Sequence, residues 1–212
     1  MALTYLLTRP EHDDTTHYLS QWCKETIKLA EERGIKVLDL HREKANKEEF
    51  ENKIHKFSPQ IVVLNGHGNE DQVTGHQNQP LVIVHENEEL LRSTIVYAIS
   101  CRSAKNLGRR SVQVGALSYT GYEDDFIFVY EPDKVSRPRR DETAKLFLEH
   151  SELFVESLLK GNSVGESWER SKRILKRNFI TALSNKNTST ARYLWWDLKN
   201  FSSYGDLNAT VG

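Results

Sequence analysis

Two side chains able to do covalent and acid–base chemistry follow strongly apolar runs. Ile61-Val62-Val63-Leu64 continues as Asn65-Gly66-His67-Gly68, and Ile95-Val96-Tyr97-Ala98-Ile99 continues as Ser100-Cys101-Arg102-Ser103-Ala104. A thiolate is a nucleophile. A nearby imidazole raises the thiolate population and later protonates a leaving amine. Glycines on both sides of His67 permit a tight turn and close backbone approach. The backbone N–H groups of Gly68 and Cys101 are candidates for an oxyanion hole, where one donor is worth about 3 kcal/mol of barrier. Gly-His-Gly or Ser-Cys alone is a weak signal. Their placement after the two most apolar runs, His before Cys, carries more. If those runs are neighbouring strands they lie about 4.8 Å apart, and side chains just past their ends share one crevice.

The elements that must position this pair follow from alternating periods. Tyr5-Leu6-Leu7 predicts a strand stopping at Arg9-Pro10, followed by one helix from about Asp14 to Glu32, with Asp13, Asp14 and Thr15 as candidate caps and Gly34 as its stop. Ile35 to Leu40 predicts a second strand, and Phe50, Ile54 and Phe57 mark one face of a second helix closed by Ser58-Pro59. A small hairpin is expected between Asn69 and Val84, over the sheet's edge, and a short helix or turn at Glu88 to Leu91. Further strands are expected at Gly115 to Tyr119 and Phe126 to Val129. The Pro- and Arg-rich stretch Glu131 to Arg140 is expected to be a mobile loop. The C-terminal part, from about 141, predicts helices over 141–160 and 164–182, broken at Gly161-Asn162-Ser163. The βαβαβ opening predicts an α/β fold: a three-layer α-β-α sandwich with a mostly parallel sheet, as one domain over 1–212. In such sheets ligands bind outside the carboxyl ends of the strands, where both motifs fall.

Composition excludes other classes. The 212 residues carry 29 Lys+Arg against 30 Asp+Glu, a formal net charge of -1, so bulk electrostatics gives no case for nucleic acid or anionic lipid. With 38% hydrophobic residues and no run near the ~18 apolar residues of a membrane helix, the chain is expected to be soluble and cytoplasmic. The opening Met1-Ala2-Leu3-Thr4-Tyr5 has no basic n-region of a secretory signal. Two cysteines are too few for a disulfide scaffold or a thiolate zinc site. Cys23 falls in a helical stripe with Leu19, Trp22, Ile27 and Ala30 and is expected to be a small buried hydrophobe. His12, His17, His41, His55, His76, His85 and His150 lack the paired spacing of a metal site on one element, so neither metal nor cofactor is expected. The basic run Arg170 to Arg177 is expected to be a solvated helix face, with Trp168, Leu175 and Phe179 turned the other way. Trp195-Trp196 is expected to pack a C-terminal segment.

An apolar strand ending in His-Gly, then an apolar strand ending in Cys, resembles the caspase-like cysteine peptidases of clan CD: caspases, metacaspases, legumains, gingipains, separases and CHAT domains. Gly115-Ala116-Leu117-Ser118-Tyr119-Thr120-Gly121-Tyr122 is similar to the next CHAT-like strand, and Leu158 to Ser167 to the helix break common in CHAT-like and gingipain-like proteins. The resemblance implies a cysteine endopeptidase acting on a protein target, with His67 as base and acid and Cys101 as nucleophile, in a dyad that needs no third carboxylate. It implies control by a sensor, partner subunit or inhibitor, and a role in prokaryotic stress or antiviral defence. The chain departs from the family in lacking the caspase Gln-Ala-Cys-Arg-Gly signature. It also carries Ile99 where metacaspases and legumains have an acidic residue, which removes the basis for their preference for Lys or Arg. Arg9, where caspases place an arginine for acidic side chains, and Asp124 and Asp125, able to face a basic one, are the candidate substrate-pocket residues. Two further classes stand beside this one: a catalytically silent binding or scaffold module on the same fold, and a nucleotide-binding α/β module. No Gly-x-Gly-x-x-Gly or Walker-type run follows the first strand to support the last.

Overall fold

The computed structural model describes residues 3–211, so Met1, Ala2 and Gly212 of the sequence reading lie outside the described residues. The chain runs β1 (Thr4–Arg9), α1 (Asp14–Trp22), α2 (Lys24–Glu32), β2 (Lys36–His41), α3 (Lys47–Phe57), β3 (Ile61–Asn65), β4 (Gln72–Thr74), β5 (Pro80–Ile83) and β6 (Ile95–Ile99). It continues with α4 (Arg109–Gln113), β7 (Ser118–Tyr122), α5 (Glu142–Leu159), α6 (Val164–Ser184), α7 (Thr188–Asn200) and β8 (Phe201–Gly205). Six strands form one sheet in the order β2-β1-β3-β6-β7-β8, and β4 and β5 form a separate two-stranded hairpin. Every pairing in the large sheet is parallel except β7 with β8.

Because side chains alternate across a strand, the apolar runs feed two cores at once. Tyr5, Leu7, Ile61, Val63, Ile95 and Tyr97 face one side and pack with Tyr18, Leu19, Phe147, Phe154 and Leu175 from α1, α5 and α6. Leu6, Val62, Leu64, Val96 and Ala98 face the other and pack with Phe50 and Ile54 of α3 and Val73, Leu81 and Val82 of the hairpin. The result is a three-layer α/β sandwich with a mostly parallel sheet. The hairpin completes the second face rather than the sheet's edge. No helix among the described residues is long and apolar enough to cross a membrane.

Several local expectations need correction. The helix foreseen over Asp14 to Glu32 is two helices, α1 and α2. At the junction the Cys23 carbonyl is shared between Ile27 N–H (3.2 Å) and Thr26 Oγ1 (2.8 Å), which loosens the helical ladder. Phe126 to Val129 is not a strand but an extended segment crossing the strand tips. The strand foreseen at Gly115 runs instead from Ser118 to Tyr122. Glu131 to Arg140 is tied down rather than loose. It holds two short 3-10 turns, a buried Pro138, a bond from Glu131 N–H to Asp141 Oδ2 (2.8 Å), and Arg139 over the Trp22 ring while paired with Glu152. Helix α7 and strand β8 were not foreseen, and β8 closes the sheet's far edge against β7.

Candidate active site at the tips of β3 and β6

Strands β3 and β6 are parallel neighbours, with Asn65 opposite Ile99 at their carboxyl ends. His67 and Cys101 therefore each stand two residues beyond the last paired position. The end of β3 is anchored to β1: Asn65 Nδ2 donates to the Thr8 carbonyl (2.7 Å), and Thr8 Oγ1 accepts from Asn65 N–H (3.0 Å). The glycines flanking His67 are needed for close approach. A Cβ on Gly66 would lie 2.1 Å from the Thr74 carbonyl oxygen, and one on Gly68 would lie 2.1 Å from Ser100 Oγ. The hairpin grips the His67 carbonyl through Thr74 N–H (2.9 Å) and Thr74 Oγ1 (3.1 Å). After Cys101 the chain turns sharply through Arg102 in the left-handed region (φ 55°), whose N–H donates to the Asp124 carbonyl (3.1 Å).

His67 and Cys101 line one cavity of about 220 Å³, together with Thr15, Leu19, Ser100 and the Phe126–Phe128 segment. The Cys101 thiol donates to the Phe126 carbonyl (Sγ···O 3.8 Å). Burial pushes the thiol's pKa up, and the Asp125 charge adds to this. A backbone hydrogen bond from Phe126 and the Arg102 charge act the other way. The thiol is therefore protonated at rest. No hydrogen bond joins it to His67 among the described residues. The N–H groups of Gly68 and Cys101 are not taken by any acceptor among the described residues. At the Gly68–Val73 bridge, the ladder bonds are made by the flanking Asn69 N–H and His67 carbonyl, which leaves the Gly68 N–H outside the hairpin.

His67 instead bonds through Nε2 to Asp13 Oδ2 (2.7 Å). Asp13 is the N-cap of α1, and its other oxygen, Oδ1, accepts from Thr16 N–H (2.8 Å) in a capping box. One carboxylate thus starts a helix and grips an imidazole, and the hydrogen bonds from Thr16 and His67 lower its pKa against the opposing effect of desolvation. Asp13 escaped the sequence reading as more than a possible cap, although it follows β1 closely and the strand-end rule pointed to such residues. His12 and His76, expected to be scattered, lie together here, with ring centroids 5.6 Å apart and His12 6.1 Å from His67.

The proposed pocket residues fare differently. Arg9 is corrected outright. It is buried, donates through Nε and Nη2 to both oxygens of Asp39 (2.8 and 2.5 Å), and spends Nη1 on Ser20. Buried, with four of its five N–H donors committed to Asp39 and Ser20, this guanidinium holds the fold together and does not face a substrate. Asp125 pairs with Arg102 (3.0 Å), and Asp124 Oδ1 caps the Asp125 N–H (2.8 Å). Both are half-buried just before the Phe126–Phe128 wall, beside Cys101 rather than in the cavity lining.

The chain matches no family model and no curated protein. The case for a function therefore rests on the motifs and their geometry. Elsewhere the buried ionisable groups read as structural. Glu11 gathers His17, His41 and Arg42 at 2.7–2.8 Å. His150, pushed down to about 3 by burial, is neutral and bonded to the Tyr122 hydroxyl (2.6 Å). Trp196 donates to the Asp125 carbonyl (2.9 Å), whereas Trp195 is exposed rather than packed.

Proposed function

We propose that the chain is a cysteine endopeptidase of the caspase-like kind, cleaving a protein target in the cytoplasm with Cys101 as nucleophile and His67 as base and acid. The observation that supports this best is the parallel β3–β6 register, which brings both residues to the wall of one cavity. In this reading His67 accepts the Cys101 proton, and the sulfur attacks the scissile carbonyl. The free N–H groups of Gly68 and Cys101 receive the developing oxyanion. His67 then protonates the leaving amine, and water hydrolyses the thioester. Asp13 acts as a positioning residue. By accepting from Nε2–H it favours the tautomer whose bare Nδ1 can take the thiol proton. Substrate entering the cavity must displace the Phe126 carbonyl from the thiol, which gives a partner chain or inhibitor a natural point of control. Service in a prokaryotic stress or antiviral defence system belongs to the same proposal and rests on the motif resemblance alone.

A catalytically silent scaffold is the second reading. It is favoured by the resting thiol's bond to Phe126 and the missing His67–Cys101 bond. A proteome-wide comparison of new N-termini separates the two. Termini produced by the wild type and absent with Cys101→Ala and with His67→Ala support the peptidase. Identical sets from folded wild type and both variants, with the controlling chain present, support the scaffold.

A further inference from the structure

We infer that His12, Asp13 and His67 form a binding site for one divalent transition-metal ion of the zinc class. Each of the three offers one ligand atom, and these atoms all lie within 4.8 Å of one another. Both imidazoles aim Nε2 at the same carboxylate oxygen, at 3.6 Å from His12 and 2.7 Å from His67. Zinc bonds of about 2.0–2.2 Å set tetrahedral ligand atoms roughly 3.3 Å apart. The two separations to Asp13 Oδ2 differ from this by about 0.3 and 0.6 Å, and the imidazole donors lie within 4.8 Å of one another, so side-chain rotation can close the three around an ion. Asn78 Oδ1, 3.3 Å from His12 Nε2, is placed to serve as a fourth ligand.

The donors are also held in place. Asp13 Oδ1 is committed to the Thr16 N–H of the capping box, which leaves Oδ2 as the oxygen turned to the histidines. The His12 side chain is only 12% exposed and packs edge-on against the His67 and His76 rings. Two imidazoles and one carboxylate suit zinc, cobalt or nickel, whereas calcium and magnesium prefer all-oxygen cages.

The consequence for catalysis rests on the proposed role of His67. A metal takes the Nε2 lone pair, and the single N–H proton of the neutral imidazole moves from Nε2 to Nδ1. The imidazole then has no lone pair for the Cys101 proton, so the ion silences the site without touching the thiol.

The test titrates the whole chain with zinc by calorimetry and with cobalt by visible absorption at neutral pH. One ion per chain is expected, with a cobalt spectrum lacking the thiolate charge-transfer band. His12→Ala should weaken binding by about tenfold or more, and Cys101→Ala should leave it unchanged. Thermal melts confirm that each variant is folded, and Asp13→Asn, which keeps the Thr16 cap, replaces His12→Ala if that variant is not. No saturable binding, binding indifferent to both substitutions, or binding lost with Cys101→Ala would overturn the site. Because this arm uses no cleavage, it stands even if the chain proves to be no peptidase. Zinc bound as expected but without effect on Cys101-dependent cleavage would keep the site and remove its inhibitory role.

Discussion

Cys23 and Cys101 lie on opposite sides of the same wall. Leu19 and Ile99 line both the small internal void beside Cys23 and the cavity that holds Cys101. Cys23 is packed at the α1–α2 junction, its sulfur accepting from Asn65 Nδ2 (3.3 Å) and its pKa pushed up to about 12 by burial. Cys101 is raised too, yet it is half-buried beside exposed charges and a displaceable carbonyl. Both thiols are protonated at rest. What separates them is access, because one sulfur requires the core to open and the other only a segment to slide.

The largest difference expected between them is kinetic. Iodoacetamide at mildly alkaline pH should label Cys101 on the order of 100-fold faster than Cys23, read by mass spectrometry of the folded protein. The Cys101 rate should climb with pH through and beyond the ordinary thiol range, since a raised pKa delays the thiolate. Equal rates at the two sulfurs would erase the contrast. Stability should show the reverse order. Cys23→Ala leaves a cavity in a packed core and should cost about 1 kcal/mol in urea unfolding, against roughly 0.5 kcal/mol or less for Cys101→Ala. The smallest effect sharpens the electrostatics around Cys101. Asp125→Asn removes a charge that opposes the thiolate and frees Arg102, so alkylation at pH 7 should quicken by about twofold to fivefold, less at high salt. A slower rate would show that the pair acts mainly by holding the Phe126 segment.

The two arginines that follow strands show how far a sequence can be read. Arg9, the last residue of β1, carries the expectation of a substrate pocket, and Arg102 stands three residues past the end of β6. Arg9 is consumed by Asp39 and Ser20 inside the fold, whereas Arg102 stays at the surface with Asp125. Their fates depend on partners from β2, α1 and the segment after β7, which no local pattern names. The same holds for Asp13. Its capping role is a short-range signal, but its grip on His67 spans 54 positions. Helix α7 and β8 had no counterpart in the sequence-based expectations, and of the Trp195-Trp196 pair expected to pack there, Trp195 faces solvent.

The amino-acid order alone determined the alternation of strands and helices, the two-faced apolar strands, and the glycines that let His67 approach its neighbours. Each of these follows from local periodicity, propensity and side-chain size, which act within a few residues. The tertiary structure decided that β3 and β6 are neighbours in register, that Asp13 and His12 converge on His67, and that the Phe126 carbonyl covers the Cys101 thiol. Those outcomes depend on which distant surfaces find one another when the two cores close, and that pairing is a property of the whole packed chain.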